Sequence, residues 1–151
     1  MRIVFIGAIM GLGLSAFPAA AQDEPSVAER IFVVSVAQKD GSVQTEETTQ
    51  VPLLPGKACF AWQARIEDAP ASIEVLEVLQ LPAPAGSWGA SDSRISNDLT
   101  AAKTSRTLEP ADGWIGARWC LAEGDPLGPH SIMVTAGSWL DETYEFEVVE
   151  P

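Results

Sequence analysis

The chain has 151 residues, 21 acidic against nine basic side chains, one His and two Cys. Its net charge of −12 argues against nucleic acid and anionic lipid surfaces as partners, because both are polyanions. The length suits a single domain with one core.

The amino-terminal segment reads as an export signal. Arg2 gives a short basic start, Ile3 to Phe17 is an apolar run, and Pro18 is followed by the small residues Ala19 to Ala21. Fifteen apolar residues fall short of the roughly 20 that span a bilayer, so a transmembrane anchor is disfavoured. Cleavage is expected after Ala21, leaving residues 22–151 as one domain. Losing Arg2 leaves eight basic residues against 21 acids, a charge of −13. No Cys stands near the cleavage site to carry a lipid, and no later segment is apolar enough to insert in a membrane.

Glu29 to Gln38 is rich in Val, Ile and Phe and ends at Lys39-Asp40-Gly41-Ser42, which is strand followed by turn. Val43 to Val51 is polar and predicts an edge strand, closed by Pro52, Pro55 and Gly56. Lys57 to Ile66 alternates Phe60, Trp62, Ala64 and Ile66 against Cys59, Ala61, Gln63 and Arg65, the pattern of a half-buried strand. Ser72 to Leu81 is ambiguous, since Val75, Leu76 and Leu79 would also form a helical stripe. Its β-branched content and short length favour strand. From Pro82 to Asn97 a long exposed connection is expected, with a weakly marked strand near Thr100 to Leu108. Gly113 to Ala122 resumes alternation, with Ile115, Ala117, Trp119 and Leu121 on one face. Ser131 to Ala136 and Leu140 to Val149 read as a closing hairpin, with Tyr144, Phe146 and Val148 inward and Glu145 and Glu147 outward, where the acids would discourage edge pairing.

Seven or eight strands with Pro/Gly punctuation predict an all-β fold, a single antiparallel β-sandwich, with a small closed barrel as the alternative. In an exported chain, two thiols favour a disulfide between Cys59 and Cys120. If Phe60, Trp62, Ile115 and Trp119 face the core, both Cys point away from it. The bridge would then join neighbouring strands on an outer face, placing Ala61 opposite Arg118, Gln63 opposite Gly116 and Arg65 opposite Trp114. Arg65 over Trp114 would make a cation–π contact of about 0.5–1 kcal/mol.

Strand order, the 61-residue separation of the Cys and the aromatic-rich final strand resemble the immunoglobulin-like sandwiches of small exported bacterial proteins. Two departures stand out: Arg118 occupies the place of the corner Tyr, and Trp62 follows Cys59 too soon to be the core Trp of the next strand. The resemblance implies architecture and carries no activity across.

Most site chemistries lack their residues. With one His, and one Met after the leader, metal centres built on His, Met or Cys are not expected, and neither is any other cofactor. His130, after Pro129, reads as a solvated turn residue, with no G-x-S-x-G elbow to accompany it. The carboxylate pairs Glu46/Glu47, Glu67/Asp68, Glu74/Glu77 and Asp141/Glu142 read as surface charge in turns or outward strand positions. Asp92, Asn97 and Asp98 match no calcium-loop spacing. Aromatic residues remain. Trp62 and Trp119 are assigned to the core, whereas Trp88, Trp114 and Trp139, with Arg65, form the candidate binding surface. The expected function is non-catalytic: a periplasmic or secreted binding or structural module of the cell envelope, its partner a protein or glycan. The alternatives are an inhibitor of a basic exported protein and, third, a small carboxylate hydrolase.

Overall fold

The computed structural model describes residues 23–89 and 92–151. The expected leader lies outside the described residues. Ten strands form two sheets: β1 (Ser26–Ala37), β2 (Val43–Glu47), β3 (Gln50–Pro52), β4 (Ala58–Glu67), β5 (Ile73–Gln80), β6 (Ser93–Ile95), β7 (Ala101–Leu108), β8 (Trp114–Cys120), β9 (Gly128–Ala136) and β10 (Leu140–Val149). The first sheet runs β2-β1-β4-β8 and the second β3-β10-β9-β5-β7-β6. Two separate sheets exclude the closed barrel.

Alternation decides which side chains meet between the sheets. Phe32 and Val34 from β1, Phe60, Trp62, Ala64 and Ile66 from β4 and Ile115 from β8 face Ile73, Val75 and Leu79 of β5, Ile132 and Val134 of β9, and Tyr144, Phe146 and Val148 of β10. The aromatic members pack at 4.6 Å between Phe60 and Phe146 and 4.9 Å between Phe32 and Phe146. Tyr144 donates its hydroxyl to the Gln63 carbonyl at 3.1 Å across the sheets, and burial pushes its pKa up to about 12.

Several boundaries depart from expectation for identifiable reasons. Val43 to Val51 is two strands, because the chain changes sheets at Thr48-Thr49: β2 edges the first sheet and β3 pairs with β10 in the second. The β3–β10 pairing is parallel, so the sandwich is not wholly antiparallel, and β10 lies inside its sheet. Glu145 and Glu147 therefore guard no edge, although both point outward as expected. Ile73–Gln80 is strand, paired with both β7 and β9. Of the described residues between Pro82 and Asn97, most are exposed as expected, but Ala85 is buried and Ser93–Ile95 is paired to β7. Between β7 and β8 the chain turns at Asp112-Gly113, both at positive φ (50° and 81°), within the Ala111–Trp114 bridge; this is the Asp-Gly signature of a tight hairpin.

The Cys register is as predicted. Cys59 lies opposite Cys120, with Cα atoms 3.9 Å apart and the disulfide formed; Ala61, Gln63 and Arg65 lie opposite Arg118, Gly116 and Trp114. Gly116 is required here, since a Cβ would fall 2.5 Å from the Trp62 carbonyl oxygen. The bridge sits within one sheet, whereas in antibody-type domains it joins two.

Candidate functional site

The four residues expected to form a surface are split between the ends of the sandwich. Arg65 and Trp114 are cross-strand neighbours at one end of β4 and β8. They make no cation–π contact; the Arg65 Nε lies 3.4 Å from the Glu29 carboxylate, an acceptor that sequence pairing alone did not expose. Trp139, in the β9–β10 turn, is half-buried against the core. Trp88 is at the Cys59–Cys120 end, also half-buried, with its indole N–H donated to the Leu99 carbonyl at 3.1 Å. The three Trp are thus less exposed than expected; Trp88 lines a cleft at its end, and Trp114 lines an open groove of about 440 Å³ with Ala61, Gln63 and Arg118.

That cleft, of about 290 Å³, lies where β8 ends the four-stranded sheet while the six-stranded sheet continues past it. Its apolar floor is Phe60, Leu79 and Leu81; Trp88 and Trp119 wall it, with Arg106, Arg118, Asp125 and His130 at its polar positions. A broader groove of about 500 Å³ opens between β1, β2 and β10, but its Arg30 is already paired with Glu142.

Behind the cleft sits a buried carboxylate. Glu77 of β5 is fully buried and points inward between Val75 and Leu79, which corrects its assignment as an outward acid. Its Oε1 accepts the indole N–H of Trp62 at 2.8 Å and that of Trp119 at 3.1 Å, while Oε2 is paired with the Arg106 Nε. The Arg106 guanidinium lies 5.6 Å from the Trp119 ring centroid and its Nη1 is 3.8 Å from Asp92. A buried charge survives only when its lone pairs are matched by donors, and here three donors from β4, β7 and β8 converge on it. The network ties the two sheets and fixes the Trp119 ring.

His130 is the second correction. It alternates with Ile132 and Val134 on the inner face of β9, is 5% exposed, and stacks on Phe146 at 5.2 Å. Its Nδ1 lies 2.9 Å from the Gly128 carbonyl oxygen, and its Nε2 is buried with no hydrogen-bond partner among the described residues. Burial holds its pKa below the usual His range, and the same effect raises that of the half-buried Asp125, whose Oδ2 accepts the Ala122 N–H at 2.7 Å. The period-two pattern through Ile132 and Val134 contains the signal that places His130 inward; the preceding Pro obscures it.

The carboxylate pairs do not assemble. Glu77 is committed to the inter-sheet network while Glu74 accepts the Thr107 hydroxyl at 2.5 Å, and none of the four pairs lines a cavity together among the described residues. Asp98 accepts from the Ser96 and Thr100 hydroxyls, which lower its pKa and close a local turn, whereas Asp92 faces Arg106. Among the described residues no three His, Cys, Asp or Glu side chains gather as a metal site, and no helix is long and apolar enough to cross a membrane.

Two facing sheets, Ig-like strand packing and a cleft at the uncovered edge define an immunoglobulin-like β-sandwich domain. A family model described as the PM0630 beta sandwich domain matches residues 30–149, and the chain belongs to that family. Among solved structures it is similar to an immunoglobulin-like protein from Pseudomonas aeruginosa at 16% identity and a TM-score of 0.56, over 86% of this chain and 100% of that one, a likeness of fold. No curated protein matches the chain. Such a sandwich fits a non-catalytic module.

Proposed function

We propose that the protein is an exported binding module of the cell envelope, non-catalytic, that takes its ligand in the cleft beside β8. One observation carries this reading: the cleft is lined by Arg118, in no ion pair among the described residues, and by the half-buried carboxylate of Asp125. Fixed Trp88 and Trp119 rings in the same cleft supply contact area at little entropic cost. The in-sheet disulfide is compatible with an oxidising compartment, periplasmic or extracellular. Of the surface expected from sequence, Trp88 is retained in the proposal, whereas Trp114, Trp139 and Arg65 lie away from the cleft.

The test follows the five Trp indole N–H signals of nitrogen-15-labelled protein during titration with fractionated envelope extract. Binding as proposed shifts Trp88 and Trp119 and leaves Trp114 and Trp139 in place. Shifts confined to Trp114 and Trp139 would return the site to the outer surface. The charge of −13 on residues 22–151 supports a second reading, an inhibitor of a basic exported protein, and binding that collapses with added salt would favour it.

A further inference from the structure

We propose that the outer face of the four-stranded sheet docks a second copy of this chain, the two sheets stacked face to face about a two-fold axis close to the strand direction. Such a dimer is independent of the cleft.

Strand register arranges the outward side chains of this sheet in rows. One runs Glu47-Val33-Ala61-Arg118 from β2 to β8, with Thr45-Ser35-Cys59-Cys120 on one side of it. On its other side come Ile31-Gln63-Gly116 and then Glu29-Arg65-Trp114. The middle of the face is small and uncharged, and hollows into the open groove of about 440 Å³ beside Trp114. Its charges sit toward the margins. Glu47 and Arg118 are exposed at opposite ends of one row, three strand spacings or about 14 Å apart, and neither is in an ion pair among the described residues.

A two-fold axis along the strands reverses each row and leaves it opposite itself, the aligned arrangement of stacked sheets. Glu47 of one copy then meets Arg118 of the other, Glu29 meets Arg65, and Val33 meets Ala61, each contact made twice. Trp114, at the β8 margin, falls where the second copy has no facing strand. Because β2 pairs only with Val33–Ala37, the corner beside Glu29 and Ile31 is vacant, at the mouth of the groove that Ile31 and Glu47 border. An axis across the strands would instead lay β8 on β8, gathering both Arg118 at one margin and both Glu47 at the other.

The six-stranded sheet offers no such match: its outward Glu74, Asp141, Glu145 and Glu147 outnumber Arg94 and Lys103. Over the four rows of the first sheet Glu29 and Glu47 balance Arg65 and Arg118, in a chain whose net charge is −12. The area available is modest. Four strands about 4.8 Å apart, over the seven residues of β8 at about 3.4 Å each, cover on the order of 500 Å² per copy, the lower limit for a specific interface. The dimer is therefore weak, with a Kd on the order of 10–100 µM. Arg118 also borders the cleft, and its five N–H donors can serve a carboxylate and the cleft together. The two clefts then open on opposite flanks of the dimer.

Sedimentation velocity on the purified protein from about 1 µM to about 1 mM should show a monomer–dimer equilibrium, with the Trp114 indole N–H signal moving with concentration while that of Trp88 stays. Arg118→Glu and Glu47→Arg, both at exposed positions, should each weaken the dimer about tenfold or more, since symmetry repeats the clash. Mixed in equal amounts, the two variants should form a heterodimer close to the parent in affinity, because each altered charge then meets its opposite. Neither misfolding nor an effect within one copy produces that rescue. A monomer at every concentration overturns the inference and leaves this face to a different partner. A dimer that both variants leave unchanged overturns it too, as does a mixture that fails to recombine. None of these results touches the cleft, which the Trp88 and Trp119 signals test separately.

Discussion

Replacing Glu77 with Ala tests whether the buried carboxylate holds the two sheets together. The substitution leaves the Trp62 and Trp119 indole N–H groups without an acceptor and removes the partner of Arg106. Each buried donor stripped of its acceptor costs about 1–3 kcal/mol, and breaking a buried ion pair about 3–5 kcal/mol. The losses overlap, and the Arg106 side chain is 26% exposed and recovers hydration, so the expected cost is about 3–4 kcal/mol, a fall in Tm of about 10 °C. Glu77→Gln keeps one oxygen for the indoles but turns an amide N–H toward Arg106, for a cost of about 2 kcal/mol. Adding Arg106→Met to Glu77→Gln should recover part of that loss, because the clash of donors disappears with the cation. Urea unfolding of the oxidised protein measures all of these, with an unchanged denaturant slope showing that the same two states are compared. A cost below about 1 kcal/mol for Glu77→Ala, the value of an ordinary exposed strand Glu, would refute the reasoning.

Replacing both Cys59 and Cys120 with Ser should lower stability by about 4 kcal/mol on the chain-entropy model for a 61-residue loop, read by the same unfolding experiment. Gly116→Ala should cost about 1–3 kcal/mol, because the new Cβ meets the Trp62 backbone oxygen, which cannot rotate away; thermal melting checks it. Acidification should weaken the fold through His130. Its folded pKa is depressed below the unfolded value of 6.5, so the stability is complete above that pH and is lost as pH falls toward the folded pKa. The raised pKa of Asp125 has the opposite sign, stabilising at low pH and losing effect as pH rises through its folded value. Unfolding at about pH 8 and about pH 5 should show a smaller acid-side loss in His130→Phe than in the parent.

Much of the architecture was legible because alternation is a local signal. Phe60, Trp62, Ala64 and Ile66 mark one face of β4, Ile115, Ala117 and Trp119 mark one face of β8, and the Cys register follows from the two faces together. The site was legible only in part. Glu77 and His130 occupy inward positions of correctly read strands, yet each looked like an interruption, since a polar residue between apolar ones gives no sign of the partners that justify its burial. Those partners, Trp62, Trp119 and Arg106, stand 15, 42 and 29 residues from Glu77 and become neighbours only once the sheets stack. The split of Val43 to Val51 was hidden for a related reason: both halves are edge strands, and their change of sheet is decided by β1 and β10 rather than by their own composition. Trp88 is expected on an exposed loop, and the partial burial of that loop is hidden because Pro, Ala and Gly carry little apolar pattern even where Ala85 packs inside.

The disulfide closes a covalent ring from Cys59 to Cys120, and Phe60, Leu79, Leu81, Trp88, Arg106, Arg118 and Trp119 all lie on it. Only His130 and Asp125, among the polar groups of the cleft, are contributed from outside. Oxidation therefore restricts the cleft wall as well as the fold, making site geometry depend on the redox state of the compartment. It also makes the ring a self-contained cassette. Its connections can vary in length without moving β9, which brings His130 to the cleft from outside the ring.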